Sequence, residues 1–271
     1  EIGSGLVGSE MCIRDRNRSD GRLTCCMLYS PQKERFFMQS FNIQDCILYE
    51  DKDILVCHKP AGVAVQSARF GMADMESSLK NHLALKTPGK MPYLGIIHRL
   101  DQPVEGVLVF AKTPKAAAEL NRQITSKTVT KEYLAVTAQL PEEKQGHLED
   151  YLKKDNRTNS SSVVTPKTPG AKKASLDYSI QEEIKDERTA TGKRILVKII
   201  LDTGRHHQIR VQMAHKGMPL LGDRKYNAAD KSDLPLGLCS CHLAFRHPAN
   251  GKKMEFKVTP KGETFKGFLT L

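Results

Sequence analysis

The sequence predicts an α+β fold built on a mixed, largely antiparallel sheet flanked by helices and loops. Three observations predict it. Segments of alternating or β-branched apolar character outnumber segments with helical spacing. They come in runs rather than alternating one for one with helices, which argues against a doubly wound sheet. A chain of 271 residues, 39% hydrophobic and 27% charged, is long enough to bury a sizeable core.

Residues 1–37 have no period and read as a non-native or disordered extension. Val7 to Arg16 looks like translated adaptor sequence, which would put the native start at Met27 or Met38. The folded domain is expected over residues 38–271. Ile47 to Lys59 reads as two short strands joined by the charged turn Glu50-Asp51-Lys52-Asp53. Pro60 and Gly62 end the second strand. Met75 to Leu85 suits a short helix with Leu79, Leu83 and His82 inward.

Gly95 to Lys112 is an apolar run that breaks off, shows His98, Arg99 and Asp101 within four residues, and resumes after Pro103. That is the pattern of a core element interrupted by a loop that carries chemistry. Thr113-Pro114 starts a helix, an N-cap followed by proline, with Ala117, Leu120 and Ile124 on one stripe. Lys131 to Ala138 alternates as a strand, with Tyr133 on the face opposite Leu134 and Val136. Residues 150–175, with Lys153, Lys154, Arg157, Lys167, Lys172 and Lys173, read as a basic loop or weak hairpin. Leu176 to Ile184 and Arg194 to Leu201 are strands joined by a polar turn near Gly192. After Thr203-Gly204 a short helix runs on and stops at Gly217. Leu238 to His247 and Met254 to Val258 close the fold around Pro248-Ala249-Asn250-Gly251.

The net charge of +11 points to a polyanionic partner, nucleic acid first and an anionic membrane surface second. No apolar run is long enough to span a bilayer and no secretory signal is evident, so a cytoplasmic protein is expected. Seven cysteines, an odd number without a CxxC pair, fit reduced thiols rather than disulfides or a zinc knuckle. The chain has no tryptophan and its other aromatics are scattered, which argues against a long stacking platform for single strands.

Three functions compete on the residues. A metallo-hydrolase would use His206, His207 and His215, but adjacent histidines on a helix diverge and no HExxH spacing appears. A basic RNA-binding protein without catalytic activity explains the charge but gives Asp101 no task. An enzyme acting on a nucleic-acid base needs one carboxylate, an arginine to keep it ionised and an aromatic against the base. No second acid sits close in sequence for a two-carboxylate glycosidase, and no phosphate-binding loop appears.

Five motifs in order resemble the RluA-type pseudouridine synthase family: Lys59-Pro60-Ala61-Gly62; His98-Arg99-Leu100-Asp101 with Gly106; Lys131-Glu132-Tyr133; Thr203-Gly204-Arg205-His206-His207-Gln208-Ile209-Arg210 through Gly222-Asp223; and Leu243, Phe245, His247-Pro248. The resemblance runs from about Ile47 to Val258. It implies a pseudouridine-synthase sheet with its cleft across the sheet. It also implies isomerisation of specific uridines in structured ribosomal or transfer RNA, by base flipping and without a cofactor or metal.

Carried over by position, Asp101 is the expected catalytic carboxylate, Tyr133 contacts the flipped uracil, and Arg210 pairs with Asp101. Ile209 packs on the base and Arg99 holds the RNA. Arg205 is structural or binds phosphate. His98 is placed at the substrate, although its apolar setting also suits a hydrogen-bonded core histidine. Val104-Glu105 depart from the Thr-Ser or Thr-Thr usual before Gly106, His206 stands for Thr or Ser, and Gln212 for His. Glu105 would disturb the loop or touch RNA differently. The few dozen residues before Ile47 are too few for the S4 RNA-binding domain of many relatives. A monomer is expected.

Overall fold

Extended segments of two to fourteen residues pair, in the computed structural model, into a sheet of eleven strands among the described residues. Those residues are 41–67 and 73–271, and Phe41–Leu271 forms one unit. The expectations for residues 1–37 and for an S4 domain lie outside them. In chain order the elements are α1 (Ile43–Cys46), β1 (Ile47–Glu50), β2 (Ile54–Lys59), α2 (Met75–Lys86), β3 (Gly95–Ile96), β4 (Glu105–Ala111), α3 (Pro114–Thr125) and β5 (Thr130–Thr137). Then follow β6 (Gln145–Asp155), β7 (Ser160–Val164), β8 (Lys172–Lys185), β9 (Lys193–Leu201), α4 (Gln208–His215), β10 (Leu238–Arg246) and β11 (Lys253–Lys257).

The sheet runs β1-β2-β4-β10-β5-β9-β8-β6-β7, with β3 on β4 and β11 on β10. The β4–β10 pair is parallel and all the others are antiparallel. The expected mixed, largely antiparallel sheet is therefore what the chain builds.

Strand alternation divides the core in two. Leu55, Cys57, Leu108, Phe110, Tyr133, Val197 and Ile199 face one side, where Leu79 and Leu83 of α2 and Ile209 and Met213 of α4 cover them. Ile54, Val56, Val107 and Val109 face the other, under Ala116, Ala117 and Leu120 of α3. Further along that side Val136 and Leu196 pack on Phe265 and Phe268. Because β2 and β4 bury both faces, they read as continuous apolar runs rather than alternations.

Helix starts follow their caps. Asp74 Oδ1 accepts the Ser77 N–H at 2.8 Å, and Thr113 Oγ1 accepts the Ala116 N–H at 3.1 Å ahead of Pro114. Gly217, at φ 83°, follows the end of α4 in the left-handed conformation that favours glycine.

Residues 150–175 correct the reading of a loop or weak hairpin. They belong to β6, β7 and the start of β8, a continuous extension of the main sheet. Polar and charged side chains at His147, Glu149, Lys153 and Lys154 hid the alternation of buried Leu148 and Leu152. The apolar run before His98 also yields less strand than expected, with only Gly95–Ile96 in β3.

Gly106 joins the two halves of the sheet. It sits at φ 132°, and a Cβ there would lie 2.4 Å from the Ser240 carbonyl oxygen on β10. Only a residue without a side chain lets β4 approach β10 this closely.

Candidate active site

The carboxylate of Asp101 stands on the loop between β3 and β4, about one quarter exposed. Leu100 and Val104, both buried, pin the loop on either side. The Val104 N–H closes a turn onto the Asp101 carbonyl at 3.0 Å. Lys59, at the end of β2, is fully buried, and its Nζ donates to the carbonyls of Pro60, Val63 and Gln102 at 2.9, 2.7 and 3.1 Å. It thereby ties the Pro60–Val63 turn to the residue after Asp101. Burial pushes the Lys59 ammonium down to about 7 against the opposing pull of Asp101 and Glu105. The three carbonyls take all three N–H bonds that only the charged form offers. Lys59→Met removes the tether and strands three carbonyls. The expected result is a loss of roughly 2–4 kcal/mol of stability and a fall in turnover, measured by urea titration and by activity.

Arg210 reaches Asp101 from α4. Its Nη1 donates to Asp101 Oδ2 at 3.2 Å, across more than a hundred residues of sequence. The stronger bonds of Arg210 go elsewhere. Nε and Nη2 each lie 2.7 Å from the two oxygens of Asp223, whose side chain is fully buried. Burial works against the Arg210 charge, yet Asp223 and then Asp101 carry its pKa above the ordinary value. Burial likewise opposes the Asp223 charge, and Arg210 together with the Lys225 and Tyr226 N–H groups holds it below the usual carboxylate range. Gly222 permits this corner: it sits at φ 73°, and a Cβ would meet the Pro235 backbone at 2.2 Å.

Tyr133 comes from β5, buried and opposite Leu134 as the alternation required. Burial pushes its phenol up to about 12, with the Ser240 side chain opposing and Asp101 reinforcing the rise, so it is a neutral O–H at physiological pH. Asp101, Tyr133, Ile209 and Arg210 line one narrow slot of about 70 Å³. The slot shares Arg99, Asp101, Tyr133 and Arg205 with a groove of about 770 Å³ that Lys127 and Lys131 also line. Arg99 is exposed. Arg205 is exposed too, and its Nε donates to the Lys173 carbonyl at 2.9 Å.

His98 lies on the groove wall, but its Nε2 accepts the Val109 N–H of β4 at 3.3 Å. Burial, with Lys131 adding to it, pushes it down to about 3, so the imidazole is neutral and braces the loop. Glu105 does not line the slot. Its carboxylate accepts the Lys261 and Gly262 N–H groups at 3.0 and 2.9 Å and lies 3.7 Å from His58 Nε2. The departure from the family pattern at this position thus fastens the C-terminal segment and leaves the loop intact. Gln212 is buried and bonds Asp150 and the Ala174 carbonyl.

The residue reading gave Lys59, His207, Asp223 and Tyr226 no part in the base-modifying site, His207 having been weighed only as a metal ligand, with Asp223 near it. The first three lie inside the quoted motifs, which was the available signal. Tyr226 carried none. No group of three metal-ligating side chains among the described residues includes Asp101. No described helix is long and apolar enough to cross a membrane.

A lone carboxylate fixed by a buried arginine, beside a neutral phenol at the mouth of a cationic groove, defines an enzyme for a base held in a polyanion. The comparisons make this definite. A family model described as RNA pseudouridylate synthase matches residues 53–215. An uncharacterized RNA pseudouridine synthase of Bacillus subtilis is 34% identical over 215 residues, 78% of this chain and 68% of that protein. Ribosomal large subunit pseudouridine synthase D of Zymomonas mobilis is 29% identical over 272 residues, 94% of this chain and 82% of that protein. Human RNA pseudouridylate synthase domain containing 1 shares the fold with a TM-score of 0.64 at 22% identity, over 82% of this chain and 86% of that one. The chain belongs to the RNA pseudouridylate synthase family and, within it, to the RluA type. It is an RNA pseudouridine synthase, an isomerase.

Proposed function

We propose that the chain converts specific uridines of structured ribosomal RNA to pseudouridine, with Asp101 acting at the ribose of a uridine flipped into the slot. The observation that carries this is the seating of Asp101, held by Arg210 and exposed at the junction of slot and groove. The name of the Zymomonas mobilis relative supports large-subunit ribosomal RNA over transfer RNA.

The reaction cleaves the bond between uracil N1 and ribose C1′ and remakes a bond from C5 to C1′. The C5 proton is lost and N1 gains one, so no redox or phosphoryl donor is consumed. Asp101 either attacks C1′ or removes the C2′ proton. Arg210 keeps its charge in place. Tyr133, neutral at working pH, presents an O–H to the uracil and a ring for it to stack on, worth roughly 1–3 kcal/mol. Together with phosphate contacts this offsets the few kcal/mol that base extrusion costs. Ile209 supplies the apolar floor. The catalytic domain comprises residues 38–271, acts as a monomer in the cytoplasm and needs no metal.

Phosphate is held along the groove by Arg99, Arg205, Lys127 and Lys131. Lys131 has no carboxylate partner among the described residues, and burial pulls its ammonium below the ordinary value. A phosphate supplies the missing anion. Lys131→Ala should weaken binding alike for different RNA sequences and reduce the slope of log K against log salt by about one. Filter binding across a salt series measures it.

The assignment of substrate is tested by mapping pseudouridines in ribosomal and transfer RNA of a strain lacking the gene against its parent. Loss of one or more large-subunit positions supports it, and an unchanged ribosomal map with a lost transfer-RNA site redirects it.

A further inference from the structure

Asp101 has two oxygens with different surroundings. Oδ2 lies 3.2 Å from Arg210 Nη1 and 3.5 Å from His207 Nε2. Oδ1 has no hydrogen-bond partner among the described residues. His207 is therefore the second group on the held oxygen, and how it is protonated decides whether it supports or repels the carboxylate.

The hydrogen bonds behind His207 answer that. The Ser161 N–H of β7 donates to the Tyr226 hydroxyl oxygen at 2.8 Å. Tyr226 has one proton, and its oxygen lies 2.7 Å from His207 Nδ1. With the backbone donor already on the oxygen, the phenol proton goes to Nδ1. A neutral imidazole that accepts at Nδ1 carries its proton on Nε2, the atom that faces Asp101.

The rest of the setting maintains this arrangement. His206 stacks on His207 with ring centroids 3.8 Å apart, and its Nδ1 is held 2.9 Å from Ser161 Oγ. The Arg210 guanidinium lies 5.1 Å over the Tyr226 ring. His207 itself sits at φ 54°, a left-handed conformation that a non-glycine residue adopts only when its surroundings impose it. Burial lowers the His207 pKa to about 4, with Asp101 opposing and Arg210, His206 and Lys225 adding to the fall, which keeps the ring neutral at working pH.

We propose that Ser161, Tyr226 and His207 form a relay that fixes His207 as the Nε2–H tautomer, so that it and Arg210 hold Asp101 Oδ2 and leave Oδ1 as the oxygen that meets the ribose. His207 is a positioning residue, as is Tyr226. This rests on Asp101 being the reacting carboxylate.

The test uses the full chain. Nitrogen-15 NMR of ring-labelled histidine, with the His207 signal identified by its loss in His207→Gln, should show Nε2 protonated and Nδ1 as an acceptor. Tyr226→Phe keeps the ring under Arg210 but removes the proton to Nδ1, and should populate both tautomers. Activity is read as tritium release from large-subunit ribosomal RNA transcribed with uridine tritiated at C5. His207→Gln retains an N–H and His207→Met does not, while both are unbranched at Cβ and share the left-handed strain. Turnover of the Met variant should fall roughly 10- to 100-fold with KM little changed, and the Gln variant should recover most of it. An Nδ1–H tautomer in the native protein overturns the proposal, as does equal activity of the Gln and Met variants. If the Met variant does not fold, the tautomer measurement in native protein and Tyr226→Phe decides alone. Full activity of Asp101→Asn would instead overturn the underlying reading. Inactive Asp101→Asn together with equal His207 variants overturns only the relay.

Discussion

Asp101→Asn should give a folded, RNA-binding protein whose turnover is lower by roughly 10⁴-fold or more. That is the scale on which enzymes lose activity when a lone nucleophile or base is removed. The amide keeps the shape of the side chain but can neither attack C1′ nor take a proton from C2′. Folding should survive because the carboxylate is partly exposed and Arg210 keeps both bonds to Asp223. The measurement is tritium release from RNA labelled at uridine C5, with the melting temperature and RNA affinity measured alongside. Full release would remove Asp101 from the reaction. Loss of activity together with a large drop in melting temperature would make the residue structural.

Arg210→Ala should cost both activity and stability. From the residues alone this change would be expected to impair catalysis more than folding, because Asp101 was the only partner named for Arg210. The structure adds Asp223, whose side chain is fully buried and would be left charged without a partner. Removing one member of a buried pair costs about 3–5 kcal/mol, a large part of the stability of a single domain. Replacing both members removes the stranded charge. Arg210→Ala/Asp223→Ala should therefore be more stable than Arg210→Ala by urea titration, and equally inactive, since Asp101 still lacks its guanidinium. A double variant as unstable as the single would show that the bidentate pair is not what Arg210 contributes to folding.

The residues made much of this protein legible. Strand segments, the Thr113-Pro114 helix start and the Gly217 stop depend on neighbours within a turn or two, so their pattern appears in the chain directly. Five ordered motifs carried the family resemblance, and with it Asp101, Tyr133 and Arg210 as the expected site. The slot does bring these three together with Ile209. Two readings fell short because a long-range context decided them. Residues 150–175 become strand because β8 and the main sheet offer them partners, which a charged sequence does not advertise. Glu105 looked like a disturbance in the catalytic loop, and its carboxylate instead meets backbone N–H groups more than 150 residues on.

The sequence by itself determined the fold class and the basic character, because local spacing and composition encode those, and its ordered motifs carried the resemblance to the family. Only the tertiary structure decided the partners. Arg99, two residues away, stands exposed on the groove, while Arg210 reaches Asp101 and leans on Asp223. Lys59 braces the loop from another strand, and Ser161 and Tyr226 orient His207 from two further segments. The physical reason is that a charge in a low-dielectric slot is set by whichever groups lie within about 4 Å, and chain separation says nothing about that distance.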